Sequence, residues 1–249
     1  MPEALLEVRN LSKSFGALRA TDGIELDVQE GETLAVIGPN GAGKTTLIGQ
    51  LAGNLRPDAG RVRFAGEDVT ALSAPRRARK GFARSFQITS VFPEFTTLDN
   101  VALAVQARAG HSLRFWRPAM SDPALIEPAR QVLKEVGLET RAGVIAANLS
   151  HGEHRQLEVA MALATQPRLL LLDEPMAGMG IDESQRMIGL LATLKRRQTM
   201  VLVEHDMDAV FRLADRIAVL VYGRVIATGL PEEIRVNEEV RKAYLGEDA

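Results

Sequence analysis

The stretch TLAVIGPNGAGKTT, residues 33–46, carries three local patterns in the order strand, glycine loop, helix. Thr33 to Ile37 is an unbroken apolar run, as expected of a strand covered on both faces. Gly38, Pro39, Asn40, Gly41, Ala42, Gly43, Lys44 and Thr45 then satisfy G-x-x-x-x-G-K-[ST] at every fixed position. Thr46 leads on into an apolar-periodic helix that reaches Ala52. Glycines let successive backbone N–H groups converge on an anion, and the following helix adds the positive end of its dipole. Lys44 offers a point charge to β- and γ-phosphates, and the Thr45 hydroxyl can ligate magnesium. A nucleotide site over residues 38–46 is therefore expected; the bland alternative is a tight strand-to-helix turn.

A second buried run, LLLLDEP at residues 169–175, ends abruptly in two carboxylates. Such a placement is useful for holding a cation or moving a proton. Asp173 is expected in a magnesium shell. Glu174, next along and facing the other side of the pleat end, is expected to accept a proton from attacking water, because phosphoryl transfer needs little beyond positioning and charge stabilisation.

Outward from these motifs, Leu6, Val8 and Leu11 alternate, as do Ile24, Leu26 and Val28, which predicts an antiparallel strand pair. Residues 61–65 and 81–87 read as further strands. The arginine-rich stretch between them, residues 76–80, reads as a solvated face. From about residue 97 to 164 the strand signal gives way to helices at 98–109 and 123–136 and one starting at Ser150. Strands at 169–172, 199–203 and 216–221 then alternate with helices beginning near Asp182 and Asp206, a βαβ rhythm. Residues 231–249 read as two short polar helices.

The 249 residues are 46% hydrophobic and 25% charged, ample for one core with a small subdomain. Lys and Arg number 30 against 32 Asp and Glu, a net charge of −2 that offers phosphate backbones no general basic surface. Nucleic acid is not an expected partner. With no cysteine there are no disulfides, thiolate nucleophiles or cysteine-ligated zinc, which suits a reducing compartment. The start, MPEALLEVRNLSK, lacks the basic-then-apolar order of a signal peptide, and no apolar run approaches the roughly 20 residues that span a bilayer. A cytoplasmic protein outside the lipid is expected.

The segment NLSHGEHRQLEVAMALA, residues 148–164, places Ser150 and Glu153 in the S-x-x-E spacing of a capping box, which alone would mark only a helix start. It precedes LLLLDEP, however, and LSHGE resembles the LSGGQ signature of ATP-binding-cassette (ABC) ATPases. The resemblance covers essentially the whole chain. It implies one cassette domain over residues 1–249: an α/β phosphate-loop NTPase (RecA-like) core, an antiparallel β subdomain in front, and a helical subdomain inserted over about residues 92–164.

The resemblance also assigns roles. Ser150, Gly152 and the helix start would address the γ-phosphate of a nucleotide held by a second protomer, which the helix dipole makes physically sensible. Gln87, in RSFQ, matches a glutamine that senses magnesium and the lytic water, and His205, in VLVEHDM, a switch histidine that contacts the γ-phosphate. Phe15, in SKSFG, stands where the family stacks an aromatic on adenine. Read alone, Gln87 is a polar surface residue, His205 a structural histidine and Phe15 a core side chain. Three departures stand out: His151 and Glu153 replace a glycine and a glutamine, MAGMG at 176–180 lacks the usual aspartate, and Phe15 replaces a tyrosine.

The combination of LSHGE, EPMAGMG, VEHDM and the ending VRKAYLGE is similar to ATPase subunits of bacterial importers for branched-chain amino acids, related amides or urea. It implies ATP and Mg2+ as cofactors and integral membrane permease subunits as partners. A second cassette, identical or paralogous, and indirectly a solute-binding protein are implied too, with the chain peripheral at the cytoplasmic face of the plasma membrane. YLGE also resembles the lipopolysaccharide-export ATPase, the alternative. A soluble cassette acting on ribosomes or DNA is disfavoured by the single cassette, the charge and the lack of heptads, and a small-molecule phosphoryl transferase would not need the Ser150 segment. Residues 110–121 bring Arg114, Phe115, Trp116 and Arg117 together, either as an anchor for a membrane subunit or as a surface loop.

Overall fold

The computed structural model describes residues 4–85, 91–109, 122–195 and 197–245. In chain order the strands are β1 (Leu6–Phe15), β2 (Leu18–Val28), β3 (Thr33–Ile37), β4 (Ala59–Phe64), β5 (Glu67–Asp68), β6 (Phe82–Arg84), β7 (Leu169–Asp173), β8 (Thr199–Val203), β9 (Arg216–Val221) and β10 (Arg224–Gly229). The helices are α1 (Lys44–Ala52), α2 (Ala74–Arg79), α3 (Thr97–Ala109), α4 (Pro123–Glu135), α5 (His151–Ala164), α6 (Ile181–Leu194), α7 (Met207–Leu213), α8 (Pro231–Val236) and α9 (Glu238–Leu245).

Two sheets result. The alternating N-terminal strands form an antiparallel sheet in the order β2-β1-β4-β5. The second sheet runs β10-β9-β3-β8-β7-β6, with β9, β3, β8, β7 and β6 mutually parallel and β10 antiparallel at the edge. The strands β3, β7 and β8, apolar but for Thr33, Asp173 and Thr199 at their ends, are buried at every residue and lie in its interior. Side chains alternate faces along each strand. Leu169, Leu171, Val201 and Val203 therefore share a core with Leu47 and Ile48 of α1 and with the antiparallel sheet. Leu170, Leu172, Met200 and Leu202 join Val101, Leu133, Leu157 and Leu191 of α3, α4, α5 and α6 on the other face. A third cluster sets Ala35, Ile37, Ile217 and Val219 against Val210, Ile234 and Val240 of α7, α8 and α9.

The strand expected over residues 81–87 is described only as Phe82–Arg84, and β10 and α2 had no clear sequence signal. The reading of residues 76–80 as a solvated face needs correction at one position. Arg77 is 1% exposed, because a single helical turn after Pro75 points one of the four basic side chains inward. Its Nη1 donates to the carbonyls of Gln50 (2.8 Å) and Leu51 (2.6 Å), its Nη2 to Thr70 (3.1 Å) and its Nε to Leu72 (3.2 Å). Burial draws its pKa down to about 10, so it stays charged at neutral pH. A buried cation thus closes the C-terminal end of α1, where the helix dipole is negative and the last carbonyls lack partners of their own.

Removing this side chain takes the donor from the Leu51, Thr70 and Leu72 carbonyls, while Gln50 keeps the Gly53 N–H, so Arg77→Ala is expected to lower the unfolding free energy by about 3 kcal/mol. Arg77→Lys should recover less than half of the loss, since an ammonium lacks the planar fork that reaches carbonyls on two sides. Urea denaturation of the two variants measures both.

Candidate active site

β3 delivers the chain to residues 38–46 at the carboxyl edge of the parallel sheet. A Cβ at Gly38 would lie 2.0 Å from the Leu220 carbonyl oxygen and one at Gly43 would lie 2.1 Å from that of Ala20, so only glycine fits either position. Gly43, at φ 105, is the N-cap of α1 and provides no side-chain cap. Lys44 is 6% exposed, and its Nζ donates to the carbonyls of Gly38 (2.7 Å) and Pro39 (3.0 Å). Burial lowers its pKa, and the charges of Glu174 and Asp173 oppose the shift. Asn40, Gly41 and Thr45 are exposed.

Asp173 ends β7 on the same face as Leu169 and Leu171, the face that packs on α1. The side chain is almost wholly buried, and burial raises its pKa against the opposing pull of Arg84. Oδ2 accepts from Arg84 Nη2 at 2.9 Å, whereas Oδ1 is buried with no hydrogen-bond partner. A buried carboxylate oxygen without a donor is an acceptor that suits a hard cation such as Mg2+, and with the Thr45 hydroxyl at the start of α1 the donor set fits that ion. Glu174 is half-buried and donates its backbone N–H to the Val203 carbonyl at 2.9 Å. Its φ of 49° lies in the left-handed region, so a turn aims its side chain, and not the pleat alternation expected from the sequence.

Glu204 follows β8 and is 1% exposed. Its Oε1 accepts from the Met176 N–H at 3.1 Å and its Oε2 from the His205 N–H at 3.0 Å, which ties the segment after β7 to the segment after β8. Burial raises its pKa, and the donated N–H bonds act in the opposite direction. The His205 side chain is 63% exposed, with Nδ1 3.8 Å from Glu204 Oε2. Phe15 is 50% exposed, which argues against the core alternative, and Lys13 Nζ lies 5.8 Å from its ring centre. Gln87 and residues 110–121 lie outside the described residues.

Ser150 is the N-cap of α5 and forms both arms of the capping box with Glu153. The same helix start is bound to the start of α6. Glu183 Oε1 accepts from Ser150 Oγ (3.3 Å) and from the Gly152 N–H (3.2 Å), and Oε2 accepts from the Gly180 N–H (3.4 Å). His151 Nε2 lies 3.0 Å from the Ala177 carbonyl oxygen, and Glu153 also pairs with Arg141 at 2.6 Å. The two unusual residues of LSHGE therefore both have partners within the chain.

The structure brings the loop of residues 38–46, Asp173 and Glu174 to one sheet edge, with Glu204 and His205 at the end of neighbouring β8. Arg84, Glu183 and Glu204 were not anticipated from sequence. Glu204 had a signal, an acid directly after an unbroken apolar strand, as in LLLLDE.

Comparison with known proteins decides the family. Residues 21–177 match the ABC transporter family profile. The chain belongs to the ABC transporter family. Residues 224–249 match a further profile, that of the branched-chain amino acid ATP-binding cassette transporter. The high-affinity branched-chain amino acid transport ATP-binding protein BraF of Pseudomonas aeruginosa is 39% identical over 254 residues, covering 99% of this chain and 100% of BraF. Among solved structures, the ADP conformation of an ATP-binding cassette of an ABC transporter superposes with a TM-score of 0.86 at 29% identity, covering 98% of this chain and all of that one. A dimeric ATP-binding cassette in a post-hydrolysis state with ADP and Pi reaches 0.78 at 25% identity, covering 91% and 98%. As an ABC ATPase, the chain binds ATP and couples its hydrolysis to transport.

In this ABC cassette the raised pKa of Glu204 has a readable consequence. A carboxyl raised on folding contributes stability that is present below its unfolded value, near 4.5, and lost as pH rises through the folded value. Glu204→Gln removes that titration. Relative to the variant, the parent protein should lose unfolding free energy as pH climbs above about 4.5, which urea titrations at a series of pH values measure.

Proposed function

We propose that this cassette is the ATP-hydrolysing subunit of an importer for branched-chain amino acids, working with a second cassette, identical or paralogous, against integral membrane permease subunits. Full-length similarity to BraF, extending through the match at residues 224–249, carries the solute class and favours it over lipopolysaccharide export. No helix among the described residues is long and apolar enough to cross a membrane, consistent with peripheral attachment, here assigned to the cytoplasmic face. In this reading α3, α4 and α5 constitute a helical subdomain, and residues 1–249 one domain.

The phosphates lie against backbone N–H groups of the loop after Pro39, which has none of its own, and against the start of α1. Lys44 exchanges its two loop carbonyls for phosphate oxygens, and Thr46 completes that set. Asp173 and Thr45, with Gln87 as the family resemblance implies, would hold Mg2+, which would neutralise phosphate charge. Glu174 orients the attacking water and takes its proton, and His205 and Gln87 complete the shell around the γ-phosphate. Ser150 and Gly152 address the γ-phosphate of the partner's nucleotide. Glu183 occupies these same donors in the isolated chain, so it withdraws as that phosphate arrives.

Glu174→Gln keeps the shape of the side chain and removes the proton acceptor. It should leave ATP affinity unchanged, cut turnover by at least about 10²-fold and accumulate a closed dimer, read by steady-state phosphate release and gel filtration with ATP. Near-normal turnover would remove Glu174 from its role. Recovery of the chain from membranes with two polytopic subunits supports the transport reading, and recovery with ribosomes or DNA overturns it.

Phe15 supplies the adenine face. Since stacking contributes about 1–3 kcal/mol per base, Phe15→Ala should weaken ATP binding roughly tenfold or more while changing the rate of the bound complex little. Equilibrium binding of a fluorescent ATP analogue together with single-turnover kinetics separates the two quantities.

A further inference from the structure

Arg84 has no part in the reactions assigned above, yet its side chain meets Asp173 directly. β6 and β7 are parallel neighbours with Arg84 opposite Leu171. Leu171 and Asp173 share one face of β7, so a long side chain at position 84 reaches forward over that face to the strand end. There Nη2 donates to Asp173 Oδ2 at 2.9 Å, with 14% of the arginine side chain exposed and 1% of the aspartate. Among the described residues no other cation is hydrogen-bonded to Asp173, because Lys44 is held by its loop carbonyls.

The contact is one-sided. Asp173 Oδ1 and Arg84 Nε are both buried without partners, so the pair is not the two-point fork that arginine makes with a carboxylate when geometry allows. One oxygen is held and the other is left open. A carboxylate that ligates a metal is normally fixed by a hydrogen bond to its remaining oxygen, and losing such a partner typically weakens metal binding 10- to 100-fold.

We propose that Arg84 is a positioning residue for the magnesium site: its guanidinium holds Asp173 Oδ2 so that Oδ1 is presented to the metal. The inference rests on the reading of Asp173 as a magnesium ligand. Two other roles for the pair make different forecasts. A purely structural pair would affect folding and nucleotide affinity without selecting the metal. A cation competing with the metal would, on removal, let the metal bind more tightly. Orientation prevails because neighbouring Glu174, an acid like Asp173, offers no donor, so among the described residues Arg84 alone is hydrogen-bonded to the carboxylate.

The test uses the full chain carrying Glu174→Gln, so that ATP is not consumed. Mn2+ is titrated into the ATP complex and free Mn2+ is read by electron paramagnetic resonance; ATP affinity is measured separately in EDTA, and thermal melting without nucleotide reports folding. Arg84→Met, which keeps the stem, should weaken Mn2+ binding on the order of tenfold with ATP affinity in EDTA unchanged, and Arg84→Lys should fall between it and the parent. If Arg84→Met does not fold, Arg84→Lys carries the test. Unchanged or tighter Mn2+ binding in a folded variant overturns the proposal, as does an equal loss of ATP affinity in EDTA. Asp173→Asn is the control: if it too leaves Mn2+ affinity unchanged, the assignment of Asp173 falls and the proposal with it. If it weakens Mn2+ binding while the Arg84 variants do not, Arg84 alone is overturned.

Discussion

The arrangement depends on a single constraint, that charge is concentrated where buried apolar strands end. β3, β7 and β8 are buried throughout, and the ionisable groups of the site begin at their carboxyl edge. Burying an isolated ion costs several kcal/mol, so each charge there needs a partner in the chain or a ligand. Lys44 takes two carbonyls, Glu204 takes backbone N–H groups and Asp173 takes Arg84. Only Asp173 Oδ1, among the buried carboxylate oxygens of these residues, has no partner. Under the proposed function such an edge exchanges internal partners for phosphate and metal, which an ordinary solvated surface could not do.

Exchange of partners demands that the backbone stay in place, and α1 is fixed at both ends for that purpose. At its start, Gly38 and Gly43 lie against the carbonyls of Leu220 in β9 and Ala20 in β2, so the phosphate loop is seated between the two sheets. At its far end the Arg77 guanidinium binds the last carbonyls and joins them to the segment that leads into β6. β6 in turn carries Arg84. The phosphate loop and the Asp173 carboxylate are thereby tied to one another through α1, α2 and β6, a route with no counterpart in the motifs themselves.

That route explains what the sequence did and did not disclose. The strand, glycine loop and helix of residues 33–52, the acidic end of β7 and the capping box at Ser150 are all local patterns, complete within a few residues, and each is found where its pattern placed it. Arg84 touches a residue 89 positions away, Glu204 one 28 positions away and Glu183 one 31 positions away. No local periodicity encodes contacts of that kind. Arg77 was hidden by its company, because a basic run has the same composition whether all its members are solvated or one turns inward. The Glu174 turn was hidden for a different reason: alternation predicts side-chain direction only while the strand lasts, and the strand stops at Asp173.

The start of α5, which the proposed function turns toward a partner's nucleotide, is shaped by the same constraint. Its first N–H groups and the Ser150 hydroxyl need an acceptor, and Glu183 supplies one from the start of α6. If a partner's phosphate takes these donors, one acidic acceptor replaces another and the number of hydrogen bonds at α5 barely changes. A ligand shifts an equilibrium only by its differential affinity for the two states. The gain on closing then comes from the difference between a phosphate and a carboxylate at one helix terminus, less what Glu183 loses as it moves into water. Under the proposed function a small difference of that kind would let closure reverse, because the carboxylate is at hand to reclaim the donors once the phosphate leaves.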